Sequence, residues 1–244
     1  MSSDAHISSQ YPHSAPGQTL LFDADDTLWE NNIYFERAIA EFISYLDHRV
    51  QTPEEVRMHL NTCERAIIAA HGYGVKSFRK SLIRCFEQLT DTPLSEERHS
   101  RIVAFTESIA AQEVELLPEV ESTLRQLAER HQLLLVTKGD HVEQVGKLRR
   151  SGLEDVFRAV EVPAEKDAAM YRGLVVQHCL EPLKTWMIGN SPRSDVNPAL
   201  AAGLNAVFIP HDSTWALEHE VLDEPTGDQR FLQLPSFARL LDHF

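Results

Sequence analysis

The sequence predicts an α/β fold in which a parallel sheet is interrupted by a block of helices, and three observations carry this. From Pro118 onward, short apolar runs of strand length alternate with helical patterns, the signature of right-handed βαβ units. A similar run, Thr19-Leu20-Leu21-Phe22, precedes them and leads straight into Asp23-Ala24-Asp25-Asp26-Thr27. Between the two, residues 31–115 carry helical periodicity and no strand signal.

Residues 19–22 read as a buried strand, and a buried strand does not tolerate unpaired carboxylates. The acids therefore begin where the strand ends, at the carboxyl edge of the sheet, where open α/β folds place their ligands. Alternation along an extended chain points Asp23 and Asp25 the same way, which calls for a cation or a retained proton between them. In the helical block, Ile33, Ala38, Ile39, Phe42, Ile43 and Leu46 mark a first helix. A second starts at Pro53 with Thr52 as its cap and ends at His71-Gly72-Tyr73-Gly74. Phe78, Leu82, Ile83 and Phe86 mark a third, and Ile102, Phe105 and Ile109 a fourth, opened by Ser95-Glu96-Glu97. Four helices on short loops predict a small helical bundle. Beyond Pro118 come a helix on Val120, Leu124 and Leu127, a strand at 133–136, a helix at 141–150 closed by Gly152, and a strand at 159–162. A helix at 168–179, a strand at 185–188, a helix at 197–202 and a strand at 206–209 complete the pattern.

Composition narrows the function. The chain has 244 residues, of which 43% are apolar, enough for a sizeable core. A net charge of −14 argues against nucleic acid or an anionic membrane as partner. Cys63, Cys85 and Cys179 fit neither a disulfide framework nor a zinc site and read as reduced. No apolar run reaches the roughly 18–20 residues of a membrane span. Residues 1–17 are rich in Ser, His, Pro and Gln without a hydrophobic signal core, so a disordered tail and a cytoplasmic protein are expected. The expected division is a tail at 1–17, an α/β core at 18–30 and 116–244, and a helical unit at 31–115.

Three strands end in polar signatures that a parallel sheet brings to one edge: Asp23-x-Asp25-x-Thr27, Thr137-Lys138-Gly139, and Gly189-Asn190-Ser191 with Asp195 shortly after. Lys166 follows the intervening short strand; its rival Lys184 precedes a strand and belongs to the opposite edge. Asp23, Asp25 and Asp195 carry three negative charges against one on Lys166. That deficit calls for a divalent cation, and an all-oxygen ligand set suits Mg²⁺.

The order and spacing of these motifs resemble the haloacid dehalogenase (HAD) superfamily of hydrolases, from Thr19 to about His211. The resemblance implies a three-layer, Rossmann-like core with an inserted four-helix cap of C1 type. Two positions depart from the usual pattern: Asp26 stands where Gly is common, and Asn190 where Asp is common, which leaves Asp195 as the more important metal ligand. The resemblance further implies that Asp23 is the nucleophile and forms an aspartyl-phosphate. Asp25 becomes the general acid and then the base, a role that needs a pKa above the ~3.9 of a free Asp and a partly dry site. Thr137, Lys138 and Lys166 hold the phosphoryl oxygens, and Asp23, the backbone carbonyl of Asp25, Asp195 and Asn190 hold Mg²⁺. Asp26 takes no chemical role, and Thr27 braces the turn.

The expected activity is that of a phosphomonoesterase on a small soluble phosphate ester, because a halide leaves without a proton and has no use for Asp25. A haloacid dehalogenase and a catalytically idle binding protein for a phosphorylated ligand are the alternatives. In the cap, the segment 71–80 resembles a substrate-specificity loop, with Lys76 and Arg79 as candidate phosphate or substrate ligands. Trp29, Asn31 and Asn32 are candidates for the entrance, and His211, Asp212 and Trp215 lie near the same edge with a surface loop as their expected place.

Overall fold

The computed structural model describes residues 17–46 and 51–244. Strand β1 (Thr19–Phe22) divides two cores by simple alternation: Leu20 and Phe22 face one side of the sheet, and Leu21 the other. The remaining strands are β2 (Gln132–Val136), β3 (Ala159–Glu161), β4 (Thr185–Gly189), β5 (Asn205–Phe208) and β6 (Phe231–Gln233). All pair in parallel, in the order β3-β2-β1-β4-β5-β6. The order reverses between β1 and β4, the place where such sheets open a crevice for ligands. Phe22 is level with Leu135 on one side and Ile188 on the other, so Asp23, Val136 and Gly189 leave the sheet together.

Residues 31–115 hold helices α1 (Asn32–Tyr45), α2 (Pro53–His71), α3 (Val75–Leu89) and α4 (Glu96–Ala110). Thr52 and Glu55 form the capping box expected of Thr52-Pro53, and Ser95 accepts from the Arg98 N–H. Phe42, Leu60, Leu82, Cys85 and Ile102, all with no exposed surface, form a core of their own, separate from those of the sheet. Helices α5 (Val120–Ala128) and α6 (His141–Ser151) cover one face of the sheet, and α7 (Ala168–Gln177) and α8 (Asn197–Ala201) the other. The layered α/β architecture read from the sequence is therefore the observed one. The expected tail lies outside the described residues except for Gly17, whose N–H donates to the Arg130 carbonyl. Among the described residues no helix is long and apolar enough to cross a membrane.

Two features were not anticipated. Strand β6 is only three residues long and half exposed at the sheet edge, too short for an alternating pattern to register. The chain after it packs back, with Phe237 5.8 Å from Phe22 and Phe244 5.1 Å from Trp186 by ring centroids. The second is the work of Asp26. Its φ of 60° lies in the left-handed region, which explains why Gly suits this position. Its Oδ1 accepts the backbone N–H groups of Asn31 and Asn32, both at 2.9 Å, so it caps α1 from the core loop. Beside it the two connecting segments are stitched by Glu30 N–H to the Glu115 carbonyl and Leu117 N–H to the Leu28 carbonyl.

The end of β4 has no room for a side chain: a Cβ on Gly189 would come within 2.1 Å of Asp195 Oδ2. Gly189→Ala is expected to cost about 1–3 kcal/mol or more of stability in urea unfolding, because Asp195 cannot move without losing its partners.

Candidate active site

Lys166 is the hinge pin of the strand ends. It sits just before Asp167, the N-cap of α7, and reaches past the end of β2 to the end of β1. Its Nζ lies 2.5 Å from Asp23 Oδ1 and 2.9 Å from Asp195 Oδ1, with 1% of the side chain exposed. Burial alone lowers a lysine, but the carboxylates of Asp195 and Asp23 outweigh it and hold the ammonium above the ordinary lysine range. Asp195 is fully buried, and burial raises its carboxyl against the pull of Lys166. Its Oδ2 accepts the Ser191 N–H at 3.0 Å. On the other oxygen of Asp23, Thr27 Oγ1 donates at 2.9 Å; the same hydroxyl lies 3.2 Å from Asn190 Oδ1. Asn190 in turn donates to Thr214 Oγ1.

Asp25 faces the same cavity but has different partners. Its Oδ1 accepts from Trp29 Nε1 and Lys147 Nζ, each at 2.7 Å, and its Oδ2 from Gln144 Nε2 at 2.8 Å. Lys147 also donates to Asn31 Oδ1 at 2.7 Å. The carboxyl thus joins α6 to the hinge before α1. Gln144 and Lys147 were not read from the sequence: they lie three apart on one helix, and only the packing of α6 reveals what they touch.

Thr137 is buried at the end of β2 and, with Lys138 and Gly139, lines the cavity. The Lys138 ammonium donates to Ser194 Oγ at 2.7 Å and Glu218 Oε1 at 2.8 Å, and lies 4.5 Å from the centre of the Tyr73 ring. Tyr73 comes from the loop between α2 and α3, and its hydroxyl donates to Glu165 Oε1 at 2.6 Å. Glu218 also accepts from Ser191 and Ser194. Lys138 pulls the Glu218 carboxyl below its usual range although burial opposes this. Glu218 lies past the last strand foreseen, in a stretch with no periodicity to mark it.

Lys76 and Arg79 require correction, since neither lines the cavity. The buried positions of α3 are Ser77, Phe78, Ser81, Leu82, Cys85 and Phe86, which turns Lys76 to solvent. Arg79 Nε is tied to Thr106 Oγ1 at 2.8 Å, within the helical unit. The loop does reach the site, but through Tyr73, Gly74, Ser77 and Phe78. Trp29, Asn31 and Asn32 line it as expected, and Trp215 lines it too. His211 instead lies 3.4 Å from Glu30 and 3.9 Å from Asp26, fastening the hinge, and Asp212 is exposed.

The cavity, about 440 Å³, lies between the sheet edge and the helical unit. At the sheet end, the carboxylates of Asp23 and Asp195 and the amide oxygen of Asn190 converge, and among the described residues no Cys or His lines the wall. Lys166 offsets one of the two carboxylate charges, and such an all-oxygen set fits a hard divalent cation such as Mg²⁺. The opposite wall carries Phe35, Ile39, Ile68, Phe78 and Ile109, together with one buried acid, Glu64. Burial pushes the Glu64 carboxyl up to about 7; Arg57 pulls it down and Glu36 pushes it further up.

A family model described as a hydrolase, haloacid dehalogenase-like hydrolase, matches residues 18–203. Among solved structures, a haloacid dehalogenase-like family hydrolase from Xanthomonas campestris is 33% identical. Its match covers 91% of this chain and 92% of that one, with a TM-score of 0.75. YfnB from Bacillus subtilis, solved bound to magnesium, is 17% identical over 93% of this chain and 98% of that one, TM-score 0.63. A 2-haloacid dehalogenase from Pseudomonas syringae pv. Tomato is 20% identical over 92% and 96%, TM-score 0.58. Comparison with curated proteins returned no match.

Glu64 gives the site a measurable pH signature. Its folded value of about 7 stands above the ordinary 4.5, so its contribution to stability is full below pH 4.5 and is lost as pH rises through 7. Glu64→Gln removes that loss. Its stability relative to wild type is expected to improve by about 2–3 kcal/mol between pH 5 and pH 8 in urea unfolding.

Proposed function

Because the chain belongs to the haloacid dehalogenase-like hydrolase family, we propose that it hydrolyses phosphate monoesters of small molecules, with Asp23 as nucleophile and Mg²⁺ as cofactor. The observation that carries this is the pair of carboxyls in one cavity, Asp23 fixed by Lys166 and Thr27, and Asp25 held apart on Trp29, Gln144 and Lys147. The two carboxyls thus have different partners. An Asp23 oxygen attacks phosphorus as the bond to the leaving oxygen breaks, and Asp25 gives that oxygen its proton. Asp25 then takes a proton from water as the water oxygen attacks the aspartyl-phosphate, which releases inorganic phosphate and restores Asp23. Thr137 and Lys166 bind the phosphoryl oxygens, so most of the catalysis is positioning and electrostatics. Asp23, Asp195, Asn190 and the backbone carbonyl of Asp25 would hold Mg²⁺, which when bound spreads the negative charge of the phosphoryl group.

A 2-haloacid would leave Asp25 without a task, since a halide departs without a proton. The net charge of −14 supports a small-molecule substrate over nucleic acid or an anionic membrane. The free thiols of Cys63, Cys85 and Cys179 suit a reducing, cytoplasmic setting.

Asp23→Asn is expected to lower turnover of p-nitrophenyl phosphate by about a thousandfold or more. Wild-type turnover in that variant would sink the nucleophile assignment. Asp25→Asn is expected to release one equivalent of p-nitrophenolate in a burst and then stall, since that leaving group needs no proton but the second step needs a base. On an alkyl phosphate the same variant should lose about 10²–10⁴-fold from the first turnover. Chloride release from 2-chloropropionate without added metal, with phosphate esters untouched, would instead mark a dehalogenase. A broad phosphate-ester panel left untouched in Mg²⁺ would leave a binding protein.

A further inference from the structure

Glu64 takes no part in the reaction described above, yet it occupies a costly place. On α2 the buried positions are Val56, Leu60, Cys63, Glu64 and Ile67, so the acid stands on an apolar helix face with 5% of its surface exposed. It lines the cavity, and its Oε2 has no hydrogen-bond partner. Arg57, the cation nearest in influence, is committed to Glu36 through two bonds of 2.7 Å. A buried carboxyl left in this state costs a few kcal/mol in a folded protein unless a ligand satisfies it.

The charge on the cavity wall points the same way. Its cations are Lys138, Lys147, Arg150 and Lys166, all from the α/β core, where Lys138, Lys147 and Lys166 are already paired with carboxylates among the seven acids that the core also supplies. Residues 31–115 contribute Glu64 and Glu113 to the wall and, among the described residues, no cation. The cations that can meet an anionic group therefore lie at the core end, and the far end offers Glu64 with no cation of its own.

We propose that Glu64 determines substrate specificity, and that the substrate is the phosphate monoester of an amino alcohol. Its ammonium pairs with the Glu64 carboxylate, and its carbon chain lies on Phe35, Ile39, Ile68, Phe78 and Ile109. This rests on the phosphatase reading, so the test separates the two.

Turnover is measured for a ladder of ω-aminoalkyl phosphates and for the alkyl and ω-hydroxyalkyl phosphates of equal length. Wild type should prefer the best amine over both neutral partners by about tenfold or more in kcat/KM, and Glu64→Gln should erase most of that ratio. A ratio within one enzyme cancels any general damage from the substitution. Neutral phosphates turned over as well as the amines by wild type, or a preference retained in Glu64→Gln, would overturn the inference while leaving the phosphatase reading intact. If no phosphate is turned over, the phosphatase reading falls, and the amine site is read by melting temperature with hexylamine against hexanol. Stabilisation by the amine alone, lost in Glu64→Gln, supports the site; equal stabilisation by both, or by neither, refutes it.

Discussion

One buried ammonium between two buried carboxylates is the constraint on which the rest of this structure depends. Lys166, Asp23 and Asp195 come from three different strand ends, and a charge at that depth is tolerable only if all three arrive together. That requirement fixes much else. The sheet must place β1 between β2 and β4, Gly189 must lack a side chain so that Asp195 can lie against the end of β4, and Ser191 must offer its N–H to the second Asp195 oxygen. The balance remains one charge short, two carboxylates to one ammonium. The deficit suits an incoming cation, and it makes the site an unfavourable place for anything that arrives without one.

The seam between core and cap is built on a different principle. The cap has its own apolar core, so closure does not have to bury a large hydrophobic face. Polar bonds cross the seam, Asp26 to the first N–H groups of α1, Lys147 between Asp25 and Asn31, and Tyr73 between Lys138 and Glu165, beside apolar contacts of Tyr73 with Trp215 and of Val114 with the sheet's core. Polar bonds of this kind exchange with water at a net difference of about 1 kcal/mol each. Asp25 sits on that seam. The group assigned to proton transfer is thus held by residues of both the hinge and α6.

How much of this the sequence disclosed follows from how local each signal is. That Asp23, Asp25, Thr137 and Asp195 meet at one cavity is legible because each ends or closely follows an apolar strand, and parallel strands share an edge. Lys166 was distinguishable from Lys184 for the same reason, by the side of its strand on which it falls. Gln144, Lys147 and Glu218 left no such mark, since a polar residue on a helix or in an irregular loop looks alike whether it meets solvent or a side chain of the cavity. Lys76 and Arg79 were misjudged because their loop was read as a run of charges, whereas helical phase turns Lys76 outward and Thr106 ties down Arg79. Asp26 was passed over as chemically idle; its meaning is conformational and lies in a positive φ and two N–H groups five and six residues on.

The distribution of charge on the cavity wall bears on a tension in the proposed function, that so acidic a protein should handle an anionic ester. Global charge of −14 repels a phosphate at long range, but screening limits that field to about 8 Å at physiological salt. Inside the cavity the order of charges matters more than their sum. Among the described residues every cation on the wall belongs to the α/β core, interleaved there with acids, and the helical unit supplies Glu64 and Glu113 with polar and apolar neutral side chains. Under the proposed function, a phosphate ester lies with its phosphoryl group toward Lys166 and its organic group toward Glu64. On that reading the two halves of the fold set which end of the ligand meets Asp23.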